Sequence, residues 1–510
     1  MGPSKMLSQI NTLTFSGVNI ADVQVQAHIS PGVPSFNIVG LPDKIIAESK
    51  ERVRAALNSI ALELPPKRII VNLSPADLMK EGSHFDLAIA TCLLTGIGIL
   101  SEEELQKYMV LGELALDSSI LPVNGVLPAA IGANSRNLGL ICPLANGHEA
   151  AWSGNEAILA PKNLISMINH FKGNQILPKP TAKAATNNTI YPDLKDVIGQ
   201  EVAKRALEIA AAGNHDMLMI GSPGSGKSML ASRINGILPP MNAKEILETS
   251  MIYSVAGEID NGRLQQQRPF RSPHHSSSMV ALIGGGHSKR ISPGEISLAN
   301  NGVLFLDEFP EFPRNVIESL RQPIETKKVM ISRANSHVTY PANFQLIAAM
   351  NHCKCGNLKN ANKACGKAPR CAIDYQNKIS GPILDRIDIV VEVNETSKYA
   401  MDSIENNEDS QTIAKRVFKA RDLQALRYKN YPFTTNSKLE GESLYKYASP
   451  NKEANDLLKR FAEKYRISMR SYNKILKLAR TIADIEQIEI IDKQHIAEAL
   501  SYRGTVEYSS

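Results

Sequence analysis

The sequence predicts an α/β protein built around a parallel-sheet, phosphate-binding core, with an α+β domain before that core and a helical domain after it. Three observations carry this reading. Residues 193–393 alternate apolar strand-like runs with helical ones, as a parallel sheet requires. Within them, Gly221-Ser222-Pro223-Gly224-Ser225-Gly226-Lys227-Ser228 fits the G-x-x-x-x-G-K-[ST] pattern at every fixed position. Residues 411–510 read as a succession of helices.

The chain has 510 residues, enough for about three domains at roughly 100–200 residues each. Hydrophobic residues make up 43% and charged residues 21%, which excludes a disordered, collagen-like or coiled-coil protein. No apolar run approaches the roughly 18 residues of a spanning helix, and no leader pattern opens the chain, so the expectation is a cytoplasmic protein with no membrane partner. The expected divisions are an N-terminal domain at 1–171, a polar linker at 172–192, the core at 193–393, an acidic linker at 394–410 and a helical domain at 411–510. Net charge is +6, and residues 411–510 alone hold 19 basic against 12 acidic side chains. Basic asymmetry of this kind suits a polyanionic partner.

In the N-terminal domain, Val23–Ala27 alternates with period two, Asp43–Leu57 has helical spacing and Arg68–Leu73 reads as a buried strand. In the core, Met217–Ile220 is a strand and Ser228 opens a helix, the context in which a glycine-rich loop turns its backbone N–H groups toward phosphate. Lys227 then reaches the outer phosphates and Ser228 offers a hydroxyl to Mg²⁺. A second apolar strand, Val303–Leu306, ends in Asp307 and Glu308. Asp307 fits the Mg²⁺ shell, and Glu308 fits the base that orients the attacking water. A third strand, Phe344–Met350, ends at Asn351, whose amide can hold that water or sense the terminal phosphate. ATP and Mg²⁺ are the cofactors this pattern calls for.

Four of the six cysteines, Cys353, Cys355, Cys365 and Cys371, lie within nineteen residues. Four thiolates so close together suit a structural, tetrahedral Zn²⁺. An iron–sulfur cluster and plain free thiols remain open. Cys92 and Cys142 sit among apolar neighbours and read as buried thiols.

Longer stretches carry a family resemblance: IVGLPDKIIAESKERVRAAL, VNLSPADLMKEGSHFDLAIA, DVIGQEVAKRALEIAAAG, GSPGSGKS, RPFRSPHHSSS, PGEISLANNGVLFLDEFPEF, FQLIAAMNHCKCG, SGPILDRIDI and SMRSYNKILKLARTIADIE. They touch all three expected domains. The chain resembles AAA+ ATPases, and closely the magnesium-chelatase-like YifB/ComM family. The resemblance implies a P-loop AAA+ core with a C-terminal helical lid, preceded by a Lon-protease-like domain of the ribosomal S5 domain 2-like kind. It implies that Val197, Ile198 and Gln200 edge the adenine, that Asn351 is the first sensor, that Arg386 is an arginine finger and that Arg470 is the second sensor. A finger acts on a neighbour's nucleotide, so the resemblance implies a ring, a homo-hexamer. ComM members of the family resemble DNA-dependent motors that drive branch migration in natural transformation, which brings in single-stranded and branched DNA, and a recombinase, as partners.

Motors of this branch insert pore loops into the core. The stretches that fit are Arg268–Ser276, Gly284–Arg290 and the hairpin around Lys327–His337, with Lys289, Arg290, Lys327, Lys328 and Arg333 as DNA-contacting cations. None carries aromatics suited to base stacking, so contacts should go to the backbone irrespective of sequence. His274 and His275 have no carboxylate pattern nearby that would make them metal ligands. In the N-terminal domain, Lys80-Glu-Gly-Ser83-His84-Phe85 departs from a Lon-type protease turn, with His84 where the nucleophile belongs, and peptide hydrolysis is not expected. A magnesium-chelatase-type motor and a protein-remodelling unfoldase remain as alternative functions.

Overall fold

The computed structural model describes residues 7–41, 43–183, 191–286, 291–333, 336–356, 366–394 and 407–503. Among the described residues no helix is long and apolar enough to cross a membrane.

Alternating burial along Leu7–Ser16 and Asn19–Ser30 produces a long antiparallel hairpin, with Leu7 opposite His28 and Ser16 opposite Asn19. It forms the middle of a seven-stranded mixed sheet, ordered Ser35–Val39, Arg68–Ser74, Asn19–Ser30, Leu7–Ser16, Tyr108–Val110, Gly139–Ile141, Ile158–Leu159. The helix Asp43–Ser59 packs on it, as does Asp86–Gly96, which is buried at every position. Burial makes a lone carboxylate costly, and Asp86 is paired with Arg52 at 2.5 Å. In the turn before this helix, Ser83 donates to Glu113, His84 is buried with Nε2 at 3.1 Å from the Leu13 carbonyl oxygen, and Lys80 donates to the Pro75 and Leu78 carbonyls. Ser83 and Lys80 are thus held by different partners.

The second sheet has five parallel strands, ordered Phe270–Arg271, Val303–Leu306, Gln345–Met350, Met217–Gly221, Ile389–Val393. Its three inner strands are buried at every residue, which is why they read as unbroken apolar runs. This is the parallel-sheet α/β core that the sequence predicts. Phe270–Arg271 corrects one expectation, because Arg268–Ser276 is not simply a mobile pore loop. It begins as the edge strand of the sheet, with Arg271 bound bidentately to Glu295 at 2.6 and 2.8 Å and Arg268 anchored on Glu245 and on backbone carbonyls.

The C-terminal region is helical: Ser410–Arg427, Gly441–Tyr447, Lys452–Tyr465, Met469–Ile485 and Lys493–Ser501. Its apolar side is continuous with that of the core, since Val417, Leu478, Ile482 and Ile496 share one cluster with Ala211, Met219, Ile389 and Val391. Polar groups reinforce the join. Arg421 and Gln424 donate to the carbonyls of Ala211 and Ala212 at the end of the helix Glu201–Gly213, where the helix leaves acceptors unpaired. His215 bridges Asp388 (3.0 Å) and Thr481 (2.8 Å), and Lys474 reaches the other Asp388 oxygen at 3.3 Å.

The N-terminal domain meets the core through the helix Ala243–Ala256. Ser254 donates to the buried Glu149, Leu127 N–H reaches Ser254 Oγ at 3.3 Å, and Trp152 Nε1 donates to the Gly262 carbonyl at 3.1 Å.

Because lid and core share one apolar cluster, Ile482→Ala should cost roughly 2–5 kcal/mol and should lower a single common urea transition for both, followed by circular dichroism. Two separable transitions would contradict the shared core.

Candidate nucleotide site and thiol loop

Three inner strands of the parallel sheet end side by side, and each delivers one polar element of the site. Met217–Gly221 runs into the glycine-rich loop, Val303–Leu306 into Asp307 and Glu308, and Gln345–Met350 into Asn351. The carboxyl ends of parallel strands are where such sheets bind ligands.

In the loop, Gly224 and Gly226 adopt φ of +79° and +90°, and a Cβ on either would meet nothing within 4 Å. The loop therefore has open space beside both glycines. Gly221 and Ser222 offer their carbonyls, and Ser225 its hydroxyl, to Lys227 Nζ at 2.9, 2.8 and 3.5 Å, and Asn351 Oδ1 lies at 3.1 Å. All four partners are neutral. Burial lowers the Lys227 pKa, opposed by the charges of Asp307 and Glu308. A buried ammonium held only by neutral oxygens fits a triphosphate beside it. Pro223 is an exposed residue of the loop. Ser228 Oγ donates to Asp307 Oδ2 at 2.6 Å, so the two groups assigned to Mg²⁺ are already in contact.

Glu308 sits in the left-handed region at φ 50°, uncommon for a residue with a side chain, and its N–H is held by Asp307 Oδ1 at 2.8 Å. Its carboxylate lies 3.0 Å from His275 Nδ1. Sequence reading alone misses this contact. The available signal is that Phe270–Arg271 neighbours Val303–Leu306, which carries the segment after it toward Glu308. Val197 is buried, and Gln200, at φ 65°, donates to the Ser225 carbonyl at 3.3 Å and to that of Asn394, tying the start of the core to the phosphate loop. Ile198 lies between them in the chain.

The cysteine loop leaves directly from Asn351. The Sγ atoms of Cys353, Cys355 and Cys371 lie within 4.8 Å of one another, and Cys365 lies outside the described residues. Three convergent thiols are a donor set suited to zinc. Gly356, at φ +75°, closes this loop against the phosphate loop, where an added Cβ would come within 2.4 Å of Pro223 Cγ. Tyr375, from the helix Arg370–Gln376 that carries Cys371, bonds the Asn351 backbone and is raised in pKa, chiefly by burial.

Family models cover most of the chain: "Subunit ChlI of Mg-chelatase" over residues 25–146, "Magnesium chelatase, subunit ChlI" over 193–401 and "Magnesium chelatase, subunit ChlI C-terminal" over 407–503. A protein named YifB from Salmonella typhimurium is 41% identical over 98% of this chain and 97% of its own length. Competence protein ComM of Haemophilus influenzae is 41% identical over 96% of each chain. The chain belongs to the magnesium-chelatase-like YifB/ComM family. A more distant relative, the magnesium-chelatase 38 kDa subunit of Rhodobacter capsulatus, is 24% identical over 34% of this chain and 53% of its own length. Membership makes the core an AAA+ ATPase domain with a C-terminal helical domain.

The two arginines of the family pattern lie together. Arg386 is buried and pairs with Glu325 and the Pro382 carbonyl, while Arg470 approaches the same Glu325 oxygen at 3.5 Å. They line a cavity to which no phosphate-loop residue contributes. Glu325, their shared partner, has no motif to announce it and escapes a reading of the sequence.

Of the cations assigned to DNA, Lys289 and Arg290 lie outside the described residues. Lys328 opens the hairpin Lys328–Arg333/Ser336–Pro341 and is exposed; Val329, Ile331, Val338 and Tyr340 are its buried face. Arg333 ends the first strand, opposite Ser336. Lys327 precedes the hairpin, in left-handed conformation at φ 55°, and donates to the Phe344 carbonyl at 3.2 Å, so it lies beneath the sheet end and not on the hairpin's outer face.

Gly356→Ala places a methyl group against Pro223 and a side chain at positive φ. Nucleotide affinity should fall about tenfold, equivalent to about 1.4 kcal/mol, in a titration with fluorescent ATP analogue. Unchanged affinity would separate the two loops energetically.

Proposed function

We propose that this protein is an ATP-hydrolysing ring motor that acts on DNA and promotes branch migration during recombination of incoming strands. The observation that carries the reading is the convergence of Lys227, Ser228, Asp307, Glu308 and Asn351 at adjacent strand ends, in a chain that matches competence protein ComM along nearly its full length. Full-length similarity matters because it takes in the N-terminal domain as well as the ATPase core.

In this reading Lys227 exchanges its loop carbonyls for phosphate oxygens, and Asn351, which holds Lys227 at 3.1 Å, moves with the terminal phosphate. Ser228 and Asp307 hold Mg²⁺, which neutralises phosphate charge when bound. Glu308 takes the proton of the attacking water, and for this it must release His275. Arg386 leaves Glu325 and turns to the nucleotide of the adjoining subunit, while Arg470 leaves it to act as the second sensor, so hydrolysis depends on assembly into a homo-hexamer. Cys353, Cys355, Cys365 and Cys371 hold a structural zinc that stiffens the loop against Pro223. The N-terminal domain, of the Lon-protease-like kind, acts as a collar for DNA. Cations of the hairpin and of the neighbouring insert, Lys328, Arg333, Lys289 and Arg290, contact the DNA backbone of single-stranded and branched substrates, delivered by a recombinase. The compartment is the cytoplasm.

Lys227→Ala should abolish nucleotide binding, whereas Glu308→Gln should bind ATP and lose about 10²–10⁴ in turnover. Arg386→Ala should lose about 10³–10⁵ while retaining nucleotide, measured by phosphate release and equilibrium binding. Single-stranded DNA, and not unfolded protein, should raise the wild-type rate, and a labelled four-way junction should be resolved only with ATP. Stimulation by unfolded protein alone would favour an unfoldase; normal hydrolysis by Glu308→Gln would remove its assigned role.

Removing metal with a chelator, or Cys353→Ser, should release about one zinc per chain by metal analysis and weaken nucleotide binding. A protein purified without zinc that binds ATP normally would refute the structural role.

A further inference from the structure

The N-terminal domain also touches the core at the tip of its long antiparallel hairpin. Strands Leu7–Ser16 and Asn19–Ser30 are joined by Gly17 and Val18 alone, since Ser16 stands opposite Asn19. The tip of such a turn ordinarily lies in water, yet Gly17 is buried and Val18 half-buried. What covers Gly17 is the strand Ser336–Pro341 of the core hairpin. A Cβ on Gly17 would stand 2.7 Å from the Thr339 carbonyl oxygen and 3.3 Å from Val338 Cγ1. With φ at +68° as well, the position suits glycine on both counts. Val18 packs against the apolar cluster that includes Val329, Ile331, Val338 and Tyr340 of the core hairpin, and against the smaller cluster of Ile252, Tyr253 and Leu298.

Among the described residues the core hairpin is a separate two-stranded ladder, not hydrogen-bonded into the five-stranded sheet. Its inclination is therefore set by what packs on it. On one side stands the insert: Tyr340 donates to the Ile291 carbonyl at 2.8 Å, and a Cβ on Gly284 would come within 2.9 Å of Ile331 Cδ1. Against the strand Ser336–Pro341 stands the N-terminal turn. Beside that contact a cavity of about 230 Å³ remains, lined by Phe15 and Met79 from the N-terminal domain and by His337, Val338 and Tyr340 from the hairpin. The joint is thus close at the turn and open next to it.

We propose that Gly17 and Val18 are positioning residues for DNA engagement: the N-terminal turn is the fulcrum that holds the core hairpin, and with it Lys328, at the inclination from which that cation reaches a DNA backbone. The inference rests on the reading of the hairpin as a DNA contact. The turn acts through Val338 and Thr339, not on the nucleotide or the strand. A hairpin without its fulcrum tilts into the neighbouring cavity and divides its time among several inclinations. DNA contact made from one of them is weakened by the fraction of time spent in the others. Loss of the fulcrum therefore raises the DNA concentration required, and leaves the turnover at saturating DNA, and without DNA, as they were.

The test measures ATP hydrolysis by the full-length protein across a titration of single-stranded DNA. Gly17→Ala sets a methyl group against the Thr339 carbonyl. The DNA concentration for half-maximal stimulation should rise about tenfold, with basal turnover, the KM for ATP and the saturated rate unchanged. Val18→Asn should do the same, and Val18→Ile should restore the wild-type titration. Gly98→Ala controls for backbone strain, because Gly98 lies in the same domain at φ +78° with nothing within 4 Å of an added Cβ; its DNA titration should match the wild type. In hydrogen exchange without DNA, the amides of residues 336–341 should exchange faster in Gly17→Ala, and those of residues 217–221 at the wild-type rate. An unmoved DNA titration in either Gly17→Ala or Val18→Asn overturns the proposal. So does an equal shift in Gly98→Ala, unchanged exchange of the hairpin strand, or a joint fall of basal and stimulated rates. If Gly17→Ala does not fold, the two Val18 variants decide. Wild-type protein that DNA fails to stimulate removes the motor reading and this inference with it; a stimulated wild type with unresponsive variants removes this inference alone.

Discussion

One constraint organises the molecule: in a parallel sheet every strand ends at the same edge, and a loop there must find partners for its polar groups without a sheet to supply them. This protein meets the constraint by making the loops partner one another. Lys227 closes on its own loop and on Asn351, Ser228 closes on Asp307, and Gln200 closes on Ser225. The strands below are wholly buried and fix where these loops start to within a residue. Positive φ at Glu308 is the local strain that the arrangement carries, concentrated where substrate chemistry belongs.

The same economy extends outward. The thiol loop begins at the residue after a core strand and returns against Pro223, so its conformation and that of the phosphate loop are mutually limited. The lid continues the apolar core, and its polar anchors, Arg421, Gln424 and the His215–Asp388–Lys474 set, hold the end of one core helix and the start of the last core strand. A change at the nucleotide edge therefore has a short covalent and packed route to the helix that bears Arg470.

Much of the ATPase core is legible in the sequence because its signals are local. A glycine-rich loop between strand and helix, and an apolar strand ending in two carboxylates, need only a few consecutive residues to declare themselves. The strand Arg68–Ser74 and the helices Lys452–Tyr465 and Met469–Ile485 are likewise visible from periodicity. What stays hidden depends on residues brought together from far apart. Nothing near Glu325 in the sequence marks it as the partner of two arginines that lie 61 positions and more beyond it. His275 beside Glu308, and Lys327 facing Lys438, are products of strand order and lid docking, which no short window contains. The short helix Gly441–Tyr447 escapes periodicity because its seven residues barely complete two turns.

A last consequence follows from the joint between the N-terminal domain and the ATPase core. The chain holds one tryptophan, and its indole bonds the Gly262 carbonyl across that joint. The molecule's sole strong ultraviolet emitter thereby stands at the boundary between the domains of its seven-stranded and five-stranded sheets. Any rocking of the front domain during the catalytic cycle will be written into the colour and brightness of that emission, with no label attached.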